Sequence, residues 1–278
     1  MVLNMISLLS ISVPVGFLGA LTGLGGASIL VPVLILLGIP VKEAIASCMV
    51  TIIATSSGSA SSYVREGIAN VKVAFYLEMF TTVGAIVGAK ITTVIAPIYL
   101  YFFFAAFLAT SFLKFRHGVK GDLVPCIIHQ DAFSRWLELH GSYFDEARGQ
   151  HVEYKVCNAL LGGLGMFIAG FAAGMLGIGA GAFKVTVHES IMKMPTKVSS
   201  TTSNFIIGMT ALAGTSVYFF SGLLNLTLMA PMAIGTTIGA VAGGRMLNRL
   251  TNRTLKILFY SIVVFLMGQM LYKGVKSF

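Results

Sequence analysis

Apolar stretches, most of them long enough to cross a lipid bilayer, follow one another along almost the whole chain. They run at about 5–22, 28–38, 43–64, 71–95, 98–115, 155–176, 182–194, 196–220, 224–247 and 255–273. A spanning helix needs about 20 apolar residues, and all but 28–38 and 182–194 come near that length. Only 10% of the residues are charged, whereas a soluble domain has roughly 25%. The chain is therefore predicted to be an all-α polytopic membrane protein.

The charged residues are mostly basic, with a formal net charge of +9. In a soluble protein this excess would indicate nucleic acid, but in a membrane protein it reflects Lys and Arg kept on the cytoplasmic side. We therefore expect the lipid bilayer as a partner and no nucleic acid. The three cysteines form no disulfide framework and are expected to be reduced. Cys126 and His129 form one close ligand pair, whereas zinc usually needs two, so no metal or cofactor is expected.

One sizeable hydrophilic segment interrupts the apolar stretches and contains all three aspartates, Asp122, Asp131 and Asp145. Within it, 137–144 and 150–156 have strand-like patterning on either side of a polar turn, which predicts a β-hairpin. The predicted organisation is a first transmembrane repeat at 1–115, a cytoplasmic loop at 116–153 and a second transmembrane repeat at 154–278.

The two apolar parts resemble each other when the chain is shifted by 155 residues. The shift superimposes Gly26 on Gly181, Pro40 on Pro195, Tyr63 on Tyr218, Asn70 on Asn225 and Gly84 on Gly239. Such self-similarity indicates a duplication, with each half holding a long helix, a glycine break, a half-length helix and three long helices. Gly84-x-x-x-Gly88 and its counterpart at 239–243 are typical of close helix packing, and a homodimer contact is a further use of such a motif.

The glycine breaks decide how the halves relate. If each break turns the chain back, each half has an odd number of passes and the repeats are inverted. If each break only kinks one spanning helix, the repeats are parallel. The first arrangement places 14 Lys and Arg residues on one side and 4 on the other, and the second places 10 and 8. The positive-inside rule favours the first, which predicts both termini outside and the 116–153 loop in the cytoplasm.

Each glycine break precedes the N-terminus of a short helix. Irregular backbone at membrane depth needs cover from protein or from a water-filled cavity, and a helix N-terminus with unpaired N–H groups attracts anions. Two such N-termini facing each other near the midplane predict an anion site, although the glycines could instead serve only tight packing. The candidate residues are Gly25, Gly26, Ala27, Ser28, Gly179, Gly181 and Ala182.

The long helix after each short helix is rich in hydroxyl groups. Hydroxyl and amide groups can replace the water around a polar solute, but they can equally bond to helix carbonyls or bridge helices. As clusters at matching positions they are candidates for a substrate pathway, represented by Ser47, Thr51, Thr202 and Asn204.

Four segments of the first half resemble the sulfite exporter TauE/SafE family of membrane permeases. They are Gly16-Phe-Leu-Gly-Ala-Leu-Thr-Gly-Leu-Gly-Gly-Ala-Ser-Ile-Leu-Val-Pro32, Gly38-Ile-Pro-Val-Lys-Glu-Ala44, Gly67-Ile-Ala-Asn70 and Gly84-Ala-Ile-Val-Gly-Ala89. The second half, from Gly170 to Arg245, repeats the same outline. The resemblance implies export of sulfite, organosulfonates or other small, often sulfur-containing anions.

The second short helix departs from the apolar pattern of the first, because it contains Lys184, His188 and Glu189. Charged groups inside a bilayer are costly unless they are paired or hydrated. Lys184 and His188 are four residues apart and share a helix face, where they could line an anion site or a proton path. Alternatively, Lys184 snorkels and Glu189 pairs with Lys193. His188, Glu189 and Glu78 are candidates for ion coupling, although Glu78 could equally lie at the membrane interface.

Taken together, these patterns predict a secondary transporter of the plasma membrane that exports small anions by alternating access. An anion channel, or a membrane receptor or enzyme that uses the cytoplasmic loop, is the alternative. The chain contains no phosphate loop, nucleophile elbow or paired-carboxylate motif, so no enzymatic activity is predicted.

Overall fold

The computed structural model describes residues 5–22, 26–65, 67–117, 130–145, 150–247 and 252–276. Gly25, one of the predicted anion-site residues, lies outside these ranges. In the described part the chain is almost entirely helical, as predicted from its apolar stretches. The helices are α1 (Met5–Thr22), α2 (Gly26–Leu36), α3 (Val41–Arg65), α4 (Val71–Val94), α5 (Pro97–His117), α6 (Ala132–Trp136), α7 (Ala159–Leu176), α8 (Gly181–Thr186), α9 (Thr196–Phe220), α10 (Leu226–Leu247) and α11 (Asn252–Lys276).

Three of these helices are long and apolar enough to cross a membrane when the described residues alone are judged by length and composition. They are α4, α7 and α9. Shorter apolar stretches lie in α1, α2, α5 and α10. Many large hydrophobic side chains on the outer faces of the helices are exposed, including Phe75, Met79 and Val83 along α4. An apolar exterior of this kind is what a lipid bilayer covers.

The helices recur along the chain at a nearly constant interval. α3 and α9 are shifted by 155 residues at both ends, and α2 begins 155 residues before α8. The first helices differ, because a Cβ on Gly16 of α1 would overlap the Thr236 carbonyl oxygen in the way that a Cβ on Gly170 of α7 would overlap that of Thr81. Gly16 and Gly170 are 154 residues apart, so the ungapped 155-residue shift is wrong by one residue in α1 and α7.

Closely packed glycines join the helices of the two halves. α4 packs on α7, where a Cβ added to Gly84 would overlap the carbonyl oxygen of Phe167. α1 packs on α10 in the same way, because a Cβ on Gly239 would overlap the carbonyl oxygen of Val13. Since backbone approaches this close leave no room for a side chain, the prediction of close packing at Gly84 and Gly239 is confirmed.

The glycine break after α7 reverses the chain. Helix α8 continues into a π-helical turn at Val187–Ile191. This turn leads back to the beginning of α7: Cys157 N donates to the carbonyl oxygen of Met192 at 3.1 Å, and a Cβ on Gly162 would contact the Met192 side chain. Gly177 itself has a φ of +65°, a left-handed conformation that glycine adopts without strain. α7, α8 and the π-helical turn therefore form a hairpin of helices.

A β-hairpin lies between the two helical parts, with strand β1 (His140–Asp145) antiparallel to strand β2 (Gln150–Lys155). Asn70, just before α4, anchors it, because its Nδ2 donates to Tyr154 Oη at 2.9 Å and to the carbonyl oxygen of His140 at 3.2 Å. Cys157, just after β2, is disulfide-bonded. The expectation that all three cysteines are reduced is therefore wrong.

Candidate functional site

A buried carboxyl group lies on the inner face of α4. Glu78 is 5% exposed, which places its side chain in the protein interior. Thr81 and Thr82, three and four residues later, lie on the same helix face and donate to its two oxygens at 3.0 and 2.6 Å. These hydroxyl groups replace part of the water that a carboxylate would otherwise bind.

A buried ammonium group lies on the neighbouring helix α8. Lys184 is 0% exposed, so the alternative that it snorkels toward water is wrong. Its Nζ donates to Thr210 Oγ1 of α9 at 2.8 Å, and Thr210 Oγ1 lies 3.2 Å from Glu78 Oε2. Three elements thus meet in one junction, Glu78–Thr210–Lys184, in which a hydroxyl group bridges the two charged groups.

The ammonium group is only partly satisfied at this junction. It has three N–H donors, and Thr210 is its one hydrogen-bond acceptor among the residues that the structure describes. Among the described residues, the one ion pair with its nitrogen and oxygen atoms within 4.0 Å is Lys72–Glu138 at the exposed β-hairpin. Glu78 and Lys184 therefore do not form a direct ion pair. Two N–H groups of this buried cation therefore have no acceptor among the described residues.

His188 lies one turn after Lys184, in the π-helical turn. Its Nδ1 is 3.2 Å from the carbonyl oxygen of Ser199, and because a carbonyl oxygen only accepts, Nδ1 carries a proton. Its Nε2 is buried without a hydrogen-bond partner in the described part of the chain. π-helical turns inside α-helices are frequent at functional sites.

Glu189, the other charged residue of the π-helical turn, is also buried, at 5% exposure. Its carboxyl group is hydrogen-bonded to the Thr196 side chain at the start of α9. Lys193 is exposed, and no ion pair with Glu189 is present among the described residues. The alternative that these two residues pair is therefore wrong, and Glu189 lies at the end of the helical hairpin.

The glycines at the tip of the second hairpin pack against neighbouring helices. Cβ atoms on Gly179 and Gly181 would lie 2.7 and 3.0 Å from the Ile207 side chain of α9. The Gly181 carbonyl oxygen accepts a hydrogen bond from Ser203 Oγ at 3.4 Å, and Ala182 follows within α8. In the first half Gly26 begins α2 close to Gly16, and the next two candidates, Ala27 and Ser28, are buried.

The hydroxyl candidates on the two long helices have different surroundings. Ser47 Oγ is buried without a partner in the described part of the chain, whereas Thr51 donates to the carbonyl oxygen of Cys48 in its own helix at 2.7 Å. Thr202 accepts from the backbone N–H of Asn70 at 3.1 Å, which connects it to the hairpin segment. Asn204 is half-buried.

A cavity of about 290 Å³ lies apart from these candidates, at the start of α3. It is lined by Pro40, Val41, Lys42, Glu43, Pro97, Tyr101 and Leu223. It contains none of the residues predicted to bind the anion or to couple transport.

Sequence reasoning missed the three threonines that complete the junction. Thr81 and Thr82 could have been found, because helical spacing places both beside Glu78. Thr210 could not, because it is separated from Glu78 by 132 positions and no local pattern marks it.

The long apolar helices, the closely packed glycines and the charged junction in the interior define a polytopic membrane protein, and comparisons with known proteins support a membrane transporter. The sulfite exporter TauE/SafE family matches residues 8–270, and the chain belongs to this family. It is 23% identical over 270 residues to the "Probable membrane transporter protein YunE" of Bacillus subtilis (strain 168), covering 94% of this chain and 95% of that protein. It is 25% identical over 244 residues to the "Probable membrane transporter protein YdhB" of the same organism, covering 87% and 88%. No solved structure matches the chain significantly.

Proposed function

We propose that the chain is a secondary transporter that exports small anions such as sulfite, organosulfonates or related sulfur-containing or organic anions. The observation that carries the proposal is the fully buried Lys184 ammonium, two of whose N–H groups have no acceptor in the described part of the chain. A buried cation is costly unless it is paired, and an anion is the ligand that supplies both charge and acceptor oxygens. Membership of the sulfite exporter family and the transporter names of the relatives support the same class of substrate.

We further propose that the two halves are inverted repeats and that transport proceeds by alternating access around the N-termini of α2 and α8. The related helices α3 and α9 run antiparallel, because Gly214 packs on Met49 and Gly208 packs on Ser56. Antiparallel packing of equivalent helices is expected when one half is inverted relative to the other. The chain reversal between α7 and α8 favours the arrangement with an odd number of passes.

Flux through proteoliposomes tests the proposed substrate class. We expect saturable sulfite or sulfonate flux with counterflow, loss of that flux in Lys184→Met, and retention in Lys90→Met, which removes an exposed lysine of α4. Rates far above carrier turnover without counterflow would indicate a channel. Flux of cations alone would refute the proposal.

The proposed membrane orientation places both termini outside and the 116–153 loop in the cytoplasm. Charge distribution supports it, whereas the disulfide at Cys157 favours the opposite side, because disulfides persist in oxidising compartments. A reporter fused after Phe278 decides between them. Activity of a reporter that works only in the cytosol would overturn the proposed orientation.

A further inference from the structure

The duplicated half provides a natural comparison for the Glu78–Thr210–Lys184 junction. The 155-residue shift relates Glu78 to Ala233 and Lys184 to Ile29, whereas Thr210 corresponds to Thr55. The first half therefore builds the same helix arrangement around apolar residues. Since the fold does not need the charged pair in one half, the pair in the other half requires a functional explanation.

The surroundings of Glu78 allow its carboxyl group to exist with or without a proton. Three hydroxyl groups, those of Thr81, Thr82 and Thr210, lie within hydrogen-bond distance of its oxygens. A hydroxyl group can donate to a carboxylate and can also accept from a carboxylic acid. Two of the threonines also have a backbone acceptor, because Thr81 Oγ1 lies 3.3 Å from the carbonyl oxygen of Leu77 and Thr210 Oγ1 lies 2.8 Å from that of Ile206. Both protonation states of Glu78 can therefore be satisfied by the same side chains.

Only one negative charge is needed to balance Lys184 at this junction. In the absence of ligand, the Glu78 carboxylate supplies it through Thr210. An anion on the two free N–H groups of Lys184 would add a second negative charge inside a low-dielectric interior, where like charges repel strongly. The junction returns to neutrality if Glu78 takes up one proton when the anion binds.

We propose that Glu78 is the proton-binding group that couples transport, so that one monovalent anion on Lys184 binds together with one proton on Glu78. This inference rests on the proposed anion transport, which it extends by naming the coupling ion and its site. Linkage is reciprocal: the proton raises the affinity for the anion as much as the anion raises the affinity for the proton. Thr210 is a positioning residue, because it connects the two charged groups and binds neither the anion nor the proton in this scheme.

Few other titratable groups reach Glu78 from the helices packed around it. α7 contains none between Ala159 and Leu176. On α9, Lys197 lies at the exposed beginning of the helix and Tyr218 donates to the Gly174 carbonyl oxygen. The helical hairpin contributes three groups from α8 and its π-helical turn: Lys184 itself, His188 bound to Ser199, and Glu189 bound to Thr196. Lys184 and His188 are therefore the competitors for the proton.

Binding of methanesulfonate to the purified full-length protein, measured across about pH 5 to 9, tests the inference. A sulfonate keeps its charge over this range, so any pH dependence belongs to the protein. We expect the dissociation constant of the wild type to rise about tenfold per pH unit over part of this range. In weak buffer, binding should remove one proton from solution per anion bound.

Three variants identify the group that takes up the proton. Glu78→Gln carries no titratable group at position 78 and should lose the wild-type pH slope and the proton uptake, whereas a slope kept in this variant would assign the proton to Lys184 and overturn the assignment. Glu43→Gln, the matched control in the first turn of α3, should keep the wild-type slope. His188→Gln should also keep it, and a slope abolished by this variant in place of Glu78→Gln would overturn the assignment.

The outcomes separate this inference from the function on which it rests. Saturable binding without pH dependence or proton uptake in the wild type would refute proton coupling and leave anion transport standing. Failure of both methanesulfonate and sulfite to bind to the wild type and to Glu78→Gln would refute both. Thr210→Val should weaken the pH slope, whereas Thr55→Val, its counterpart in the other half, should leave the slope unchanged.

Discussion

The Glu78–Thr210–Lys184 junction makes a quantitative prediction about stability, because the other half of the chain specifies apolar replacements for both charges. Lys184→Ile and Glu78→Ala introduce the residues found at Ile29 and Ala233. Removing one member of a buried charged pair costs about 3–5 kcal/mol, whereas apolar replacement of both is often neutral. The two single variants should therefore be much less stable than the double variant.

The structure predicts which single variant is the less stable. Lys184→Ile leaves a carboxyl group with three hydroxyl neighbours that can neutralise by taking up a proton, so we expect about 3 kcal/mol. Glu78→Ala leaves a fully buried ammonium with one hydroxyl acceptor, so we expect about 5 kcal/mol. Lys184→Ile should also regain stability as the pH falls, because a protonated carboxyl group carries no charge.

Reversible unfolding in detergent micelles measures these free energies. The double variant should lie within about 1 kcal/mol of the wild type, which together with the two single losses is a coupling energy of about 7 kcal/mol. It should remain folded and yet fail to transport anions. Strict additivity of the two single losses would show that the charged groups do not interact, and the description of the junction would then be wrong.

Three further predictions concern packing and the hairpin segment. Gly84→Ala should lower the free energy of unfolding by about 1–3 kcal/mol through overpacking. Gly268→Ala is the control and should cost nothing, because its Cβ would meet nothing within 4 Å. Equal losses in the two variants would contradict the packing argument. Asp131 caps α6 and accepts from the Asn158 backbone N–H at 2.6 Å. Burial raises the pKa of its carboxyl, but the hydrogen bonds from Ser134 and Asn158 outweigh it and lower the pKa below its usual value. Asp131→Asn should therefore cost about 1 kcal/mol near neutral pH, and unfolding titrations should show this difference disappearing as the pH falls through the lowered pKa. Asn70→Ala, which removes the side-chain contacts to the hairpin, should speed proteolysis within 140–155, and unchanged cleavage would show that Asn70 does not anchor it.

Local patterns predicted the helices closely. The stretches at 5–22 and 196–220 coincide with α1 and α9, and 43–64 differs from α3 by two residues at one end and one at the other. A continuous run of apolar residues is sufficient for such a prediction, because a helix in lipid must satisfy all of its backbone hydrogen bonds internally. The hairpin was equally accessible, since alternation and a polar turn are short-range signals.

The sequence by itself determined a duplicated bundle of apolar helices, two glycine breaks and the presence of Lys184 and Glu78 in membrane-depth segments. Only the tertiary structure decided that these two side chains share one hydroxyl group, that His188 Nε2 has no hydrogen-bond partner among the described residues, and that the tip glycines pack on Ile207. The physical reason is that hydrophobicity and helical periodicity are local properties, which residues close together in the sequence determine. Which side chains meet depends on how helices from the two halves pack against each other, and glycine contacts such as Gly84 on Phe167 set that packing across more than eighty residues.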